Sequence, residues 1–347
     1  MNPHTGYPNG YPESFFSDEH GNSRPMNTRE VSVKTLEDIV AQHREEWKQR
    51  SLEQQRLEIE NNEAVAKLYG LEDEVPSYVP LERVSLTNNS AFRWPNKTPE
   101  ERDVLFDQSA IIDLISYAVG CMFGRYSLDA PGLILADQGS TLEDYLEKIP
   151  SPTFMPDADN VIPMLDADWF EDDIVERFRL FLRTVFGEEH FEANLRYIVD
   201  LLGLKNLREY FVKPGKRGAS SKFYDDHVQR YKKRPIYWLF SSPKGSFNAL
   251  IYMHRYTPST VSRVLTYLRE YVTKLESALT RAERDNDAKE ADRLRAVLIE
   301  LNEYEHDVLF PKATENIEID LDDGVRLNYP KFGDALKRIK GLEKAED

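Results

Sequence analysis

Between Val261 and Ala282, apolar residues recur at alternating spacings of four and three: Val261, Leu265, Leu268, Val272, Leu275, Leu279 and Ala282. The rhythm resumes at Ala291, Leu294, Leu298 and Leu301, after the break Asp285-Asn286-Asp287. A seven-residue period holds one seam of a helix toward a partner, so each segment must bury that seam against another helix. So short a polar connection leaves room only for reversal. Residues 258–310 are therefore expected to form an antiparallel coiled-coil hairpin.

Other helices follow from period and punctuation. Leu36, Ile39, Val40, Trp47, Leu57, Val65 and Leu68 predict a helix from Leu36 to Tyr69, with Gly70 as its left-handed terminator. Thr98, Pro99, Glu100 and Glu101 supply an N-cap, a first-turn proline and first-turn acids for a helix that carries Leu105 and Ile111 through Phe123 into the core. Two more helices are expected at Asp172–Phe186 and Glu188–Leu202, parted by Gly187. Pro235–Phe240 and Phe247–His254 have the composition of two strands joined by Ser241–Ser246. Asp322-Asp323-Gly324 between alternating residues predicts a β-hairpin, followed by a last helix from Phe332.

The fold class expected is mainly α with small β elements (α+β): a helical domain, a small basic sheet region and the antiparallel coiled-coil hairpin. In order, the segments are 1–33, a disordered tail; 34–128, an N-terminal helical region; 129–212, loop-rich then helical; 213–257, basic and aromatic; 258–310, the helical hairpin; and 311–347, a C-terminal hairpin and helix. The tail holds Pro3, Pro8, Pro12 and Pro25 with few aliphatic side chains, too little to offset its ordering entropy. Residues 129–166, with short strand-like pieces such as Gly132–Ala136, are assigned to loops around a small sheet at most.

Charge singles out one segment. The whole chain carries −16, yet residues 213–255 hold ten cations against Asp225 and Asp226. Rings are interleaved with them: Phe223, Tyr224, Tyr231, Tyr237, Trp238, Phe240, Phe247, Tyr252 and Tyr256. Cations with flat apolar faces suit a nucleic-acid backbone and its bases. A surface docking onto the acidic remainder of the chain is the alternative. Since most of the surface repels phosphate, any DNA contact must be confined to one face.

Much chemistry is excluded. Cys121 is the only cysteine, which rules out an internal disulfide and a cysteine zinc site and makes a cytoplasmic location the default. The apolar run Ala110–Phe123 contains Asp113 and is shorter than a bilayer requires, and no secretory signal is visible, so no membrane association is expected. Neither a Pro-Pro dipeptide nor a Gly-x-Gly occurs, so no adenine-methylation motif or glycine-rich cofactor turn is present. The histidines lack zinc-site spacing, and His190 and His254 suit structural roles. Asp166, Asp168, Glu171, Asp172 and Asp173 could hold a divalent cation, but they precede a helix, where carboxylates are favoured anyway. Catalytic residues expected: none. Cofactor ligands: none. Metal ligands: none.

Three stretches nevertheless resemble a known family. They are Arg230-Tyr231-Lys232-Lys233-Arg234-Pro235-Ile236-Tyr237-Trp238-Leu239-Phe240-Ser241-Ser242, Ile115 to Asp129, and Leu321-Asp322-Asp323-Gly324-Val325 through Phe332-Gly333-Asp334. Together, from about residue 36 to the end, they resemble the C-terminal third of PglX, the adenine-specific DNA methyltransferase of BREX phage-defence systems. The resemblance implies methyltransferase ancestry. It also implies S-adenosylmethionine as cofactor of the full-length family, bound by an upstream domain whose Asn-Pro-Pro-Tyr motif has no counterpart here. No catalytic residue can be carried over. What carries over is a role in gripping double-stranded DNA for target recognition, beside a catalytic methyltransferase subunit or other BREX proteins.

Lys216, Arg217, Lys222, Lys232 and Lys233 are expected to contact the DNA backbone, with Lys244 beside them; Arg230 and Arg234 have the fork geometry for phosphate or a guanine edge. Tyr237, Trp238 and Phe240 fit a strand core better than a stacking platform. Arg125 fits a buried or capping position. The competing function is a protein-protein scaffold of a phage-defence complex without direct DNA contact, built on the hairpin and the acidic helices.

Overall fold

A computed structural model describes residues 34–215 and 218–342; the expected tail 1–33, Lys216, Arg217 and residues 343–347 lie outside the described residues. The described residues are mainly α-helical with one small antiparallel sheet. It divides into two compact units, one made of residues up to 117 with 185–203, the other of 118–184 with 204 onward.

The first unit is built on α1 (Leu36–Tyr69), which starts on a Thr35 capping box and ends on Gly70 at φ 67°. Its buried end packs against α2 (Pro99–Met122), where His43 meets Phe106 with centroids 5.7 Å apart. Lys48 pairs with Asp103 at 2.9 Å, and Arg44 pairs with Asp107. Thr98 and Glu101 form the reciprocal cap at the start of α2, as their spacing predicts. By length and composition α2 could cross a membrane, yet most of its apolar stretch is buried in the protein.

In the second unit, β1 (Ile162–Pro163) precedes α3 (Ile174–Phe186). The first unit then receives α4 (Phe191–Leu201), whose Asn194 carboxamide oxygen accepts the Leu36 N–H at 2.8 Å. Next in the second unit come α5 (Lys222–Arg230), β2 (Tyr237–Ser241) and β3 (Asn248–Tyr252). The strands run β1-β3-β2, all antiparallel, with Trp238 opposite Ile251 and Leu250 opposite Ile162. Asn160 prolongs β1 by mimicking a peptide: its side chain exchanges two hydrogen bonds with the backbone of Tyr252, at 3.0 and 3.1 Å. Both faces of the sheet are covered. Trp238 meets Tyr329 and Phe332 on one side, and Tyr237 stacks on Phe123 at 5.3 Å on the other. A strand pair buried on both faces shows as a continuous apolar run, which is how Tyr-Trp-Leu-Phe appears in the sequence.

The helical hairpin is formed by α6 (Thr260–Arg284) and α7 (Ala288–Tyr304), with Asn286 at φ 56° in the turn. Its seam residues Val261, Leu268, Leu275, Leu294 and Leu301 are buried, and Arg295 crosses the hairpin to Glu283 at 2.6 Å.

Two expectations need correction. Asp322-Asp323-Gly324 makes no β-hairpin: Leu321–Asp323 is a 3₁₀ turn and Gly324, at φ 75°, leads into the helical turn Val325–Asn328. The side chain of Asp320 caps that 3₁₀ turn by accepting Asp322 N–H at 3.0 Å, so local capping defeats strand pairing. The last helix expected from Phe332 is the tail of a 3₁₀ segment, Tyr329–Ala335; beyond it Leu336 bridges Phe240, and Lys337 N–H reaches Leu239 O at 2.8 Å. Gly132–Ala136 is loop, as assigned; Ile134 and Leu135 donate to the carbonyls of Arg125 and Gly124.

Candidate nucleic-acid interface

The basic segment is not itself a basic sheet, because its strands form the core. Trp238, Phe240, Phe247 and Tyr252 are fully buried, and Phe223, Tyr224, Tyr237 and Tyr256 nearly so. The interleaved rings are therefore unavailable for base stacking. Their placement as core, expected for Tyr237, Trp238 and Phe240, extends to almost the whole set.

Two of the ten cations are also spent internally. Arg255 is buried and donates to the carbonyls of Asp157 at 2.8 Å and Ala158 at 3.2 Å. Lys213 pairs with Glu209 at 2.8 Å. Arg125, also buried, donates to the Tyr252 hydroxyl at 2.9 Å, which in turn donates to Leu135 O. Arg230 is half-buried. Lys222, Lys232, Lys233, Arg234 and Lys244 remain exposed, and among the described residues none of these five pairs with a carboxylate.

Four of these side chains sit on two projections, Lys232, Lys233 and Arg234 on a turn and Lys244 on a loop, while Lys222 opens α5. The helix α5, missed in the sequence, explains why. Ser221 caps it by accepting Tyr224 N–H at 3.1 Å, a signal present in the residue type, but no glycine marks its end. Instead Lys232 N–H bonds Gln229 O at 3.0 Å and Lys233 N–H bonds Val228 O at 2.8 Å, the paired closure of a helix C-terminus. That closure requires left-handed backbone, and Lys232 (φ 50°) and Lys233 (φ 63°) adopt it. Glycine would adopt it freely; a lysine does so at about 1 kcal/mol. The turn Lys232–Arg234 then hands over to β2.

The turn is pinned by a buried histidine. His227 Nε2 accepts the N–H groups of Ile236 and Tyr237, both at 3.2 Å, while its ring packs on Tyr231 and Tyr237. Burial, reinforced by the charges of Arg230 and Arg125, drives its pKa down to about 3. It is a neutral acceptor.

The second projection is the loop Ser242–Ser246 between β2 and β3. Ser242 Oγ accepts Phe247 N–H at 3.0 Å, and Gly245 turns at φ 69°. From α7, Glu300 meets this loop with a buried carboxylate that accepts Lys244 N–H at 2.8 Å. The Lys244 carbonyl accepts Ala219 N–H at 2.6 Å, which joins the 213–220 segment to the loop. The nine residues of α5 separate the turn from the loop side by about 13 Å.

Three of the five acids in the acidic cluster pair with arginines, and a fourth meets a tyrosine hydroxyl. Asp173 caps α3 and takes Arg208 at 2.5 Å, and burial holds its carboxyl above the ordinary range. Asp168 also pairs with Arg208. Asp166 accepts Trp169 Nε1–H at 3.0 Å and pairs with Arg293, and Asp172 accepts the Tyr267 hydroxyl at 2.6 Å. These contacts engage Asp166, Asp168, Asp172 and Asp173 within the fold.

The chain is 36% identical over 321 residues to the adenine-specific methyltransferase BrxX of Escherichia coli O9:H4 (strain HS), covering 85% of this chain and 26% of that protein. It is 33% identical over 323 residues to the adenine-specific methyltransferase PglX of Lacticaseibacillus casei (strain Zhang), covering 86% and 24%. This chain is homologous to part of the PglX/BrxX adenine-specific methyltransferases. The resemblance carried by the three sequence stretches is thereby borne out, and the chain spans about a quarter of the length of these relatives. No family model matches it.

The PglX/BrxX likeness implies S-adenosylmethionine in the full-length family, but the residues here do not fit that group. The described sheet is three-stranded and has antiparallel pairs only, whereas nucleotide-type cofactors sit at the carboxyl ends of parallel strands followed by glycine-rich turns. No step of methyl transfer is therefore assigned to this chain.

Proposed function

We propose that this chain is a double-stranded DNA-gripping, target-recognition module of a BREX-type adenine-specific methyltransferase, and that methyl transfer resides in the portion of its relatives that it does not match. The observation that carries the reading is the set of exposed cations Lys222, Lys232, Lys233, Arg234 and Lys244, without carboxylate partners among the described residues, in a chain of net charge −16. Two left-handed lysines where glycine would be easier add to it. Backbone strain of this kind concentrates at functional sites.

With the aromatic residues buried, the contact reduces to charge and hydrogen bonds on the phosphate backbone, with Arg234 as the fork available for a base edge. Arg230 is half-buried, and Lys216 and Arg217 remain contacts expected from sequence. Binding of this kind weakens linearly with the logarithm of salt concentration, by a slope of about 0.9 per phosphate contact. The test is fluorescence anisotropy of a labelled duplex, titrated at two salt concentrations with the unmutated chain and with Lys232, Lys233, Arg234 and Lys244 all changed to alanine. Salt-sensitive binding that the fourfold variant loses supports the reading; binding that the variant retains removes it.

A second reading, partner binding, is favoured by α1 rather than by the hairpin, whose seam is buried. Leu57, Val65 and Leu68 lie close together on one exposed face of α1, Leu68 being 78% exposed. Gln55 and Asn62, on another face, bond the carbonyls of Val79 and Ser77. An exposed apolar stripe suits a protein contact, here with a catalytic methyltransferase subunit or another BREX protein. Leu57→Asp with Leu68→Asp should abolish co-purification with such a partner while leaving DNA binding unchanged. Intact co-purification would remove this second role.

A further inference from the structure

We propose that Glu300 is a positioning residue for the Lys244 contact: through a buried carboxylate on α7, the helical hairpin sets the backbone from which Lys244 meets a DNA phosphate. Resting on the DNA-contact reading above, the inference adds a residue that touches no DNA and lies 56 positions away in sequence.

Glu300 is 5% exposed. One carboxylate oxygen accepts the Ser242 hydroxyl at 2.5 Å and the Lys244 N–H at 2.8 Å; the other accepts the Ser246 hydroxyl at 2.5 Å. Among the described residues no cation pairs with it. A carboxylate removed from water must find donors, and Ser242, Lys244 and Ser246, all from one loop of five residues, donate to it. The loop therefore closes around the carboxylate much as a phosphate-binding turn closes around its anion.

The constraint propagates. Lys244 is held at its N–H by Glu300 and at its carbonyl by Ala219 N–H, so its backbone is fixed on both sides while its side chain stays exposed. Gly218 approaches so closely that a Cβ there would come within 2.5 Å of Lys244 O. Gly245, beside it, needs φ 69°, and a Cβ there would meet Ala219 at 3.2 Å. Two glycines and one carboxylate thus fix the lysine.

Charge and position make opposite forecasts. Were Glu300 only a negative charge near the interface, removing it would tighten DNA binding. As a positioning residue, its loss frees the loop and weakens binding.

The full chain is compared with Glu300→Ala, Glu300→Gln, Lys244→Ala and Glu300→Ala/Lys244→Ala. Duplex anisotropy and amide hydrogen exchange are the two readouts, and near-UV circular dichroism checks that the core is retained. In Glu300→Ala the Lys244 and Ala219 amides should exchange at least about ten times faster while the β2–β3 ladder stays protected. DNA affinity should fall about as far as in Lys244→Ala, with little further loss in the double variant, because both remove the same contact. Glu300→Gln, which keeps one acceptor, should lie between, and it serves if the alanine variant fails to fold. Unchanged exchange, tighter binding or additive losses would each overturn the inference. If the unmutated chain binds no duplex, the interface reading fails and takes this inference with it; if it binds and Glu300→Ala binds equally well, this inference alone fails.

Discussion

The turn Lys232–Arg234 and the loop Ser242–Ser246 present exposed cations from the two ends of β2, and they are held in opposite ways. The turn places lysines in left-handed backbone and relies on a neutral, buried His227 to accept the two N–H groups that follow. The loop leaves its left-handed position to Gly245 and relies on a buried carboxylate from a distant helix. In the turn, conformational ease is given up for charge. In the loop both are kept, because the anchoring comes from outside the local sequence.

The largest test of this pairing is the fourfold change of Lys232, Lys233, Arg234 and Lys244 to alanine, expected to lower duplex affinity about 100-fold at low salt and to flatten the salt slope by about 3 to 4. Splitting the set into Lys232→Ala/Lys233→Ala and Lys244→Ala shows whether turn and loop contribute independently. His227→Leu strikes only the turn. It strands two buried N–H groups and should destabilise the fold by about 2–4 kcal/mol in urea titrations, with the loop amides still protected; an unchanged midpoint would remove His227 as an anchor.

Acid should act on the same anchor. Burial lowers His227 to about 3, and lowers His43 and His254 to about 4. Below an unfolded value near 6.5 the unfolded chain binds more protons than the folded one, so stability present above that value is lost as pH falls toward 4. The loss is up to about 1.4 kcal/mol per pH unit for each histidine. Asp159, raised to about 7 by burial and the neighbouring Asp157, has the opposite sign: its folded form keeps a proton that the unfolded form releases as pH rises toward 7. The histidines outnumber it. The thermal midpoint should therefore drop between about pH 6.5 and about pH 4.5, and a flat profile would contradict their burial as neutral groups.

The smallest effect is the most discriminating. Lys232→Gly relieves the left-handed strain and should raise stability by about 0.5–1 kcal/mol while lowering DNA affinity a few-fold and the salt slope by about 0.9. Equal or lower stability would mean that the turn carries no strain worth relieving.

Legibility followed locality. The helix from Leu36 to Tyr69, the Thr98 cap and the hairpin seam were all readable because their determinants lie within one or two turns of the residues they fix. The α5 helix was not, since its end is closed by lysines rather than glycine, and the C-terminal β-hairpin was misjudged because an Asp320 cap looks the same in sequence as a strand end. Of the candidate site, the sequence determined which residues carry charge and that the methyl-transfer motifs are missing. Only the tertiary structure decided which charges are available: it sent Arg255 inward, tied Lys213 to Glu209, took the rings into the core and left Lys244 facing solvent under the hold of Glu300. The physical reason is that charge and periodicity belong to single residues and their near neighbours, whereas exposure and anchoring depend on groups brought together from far apart in the chain.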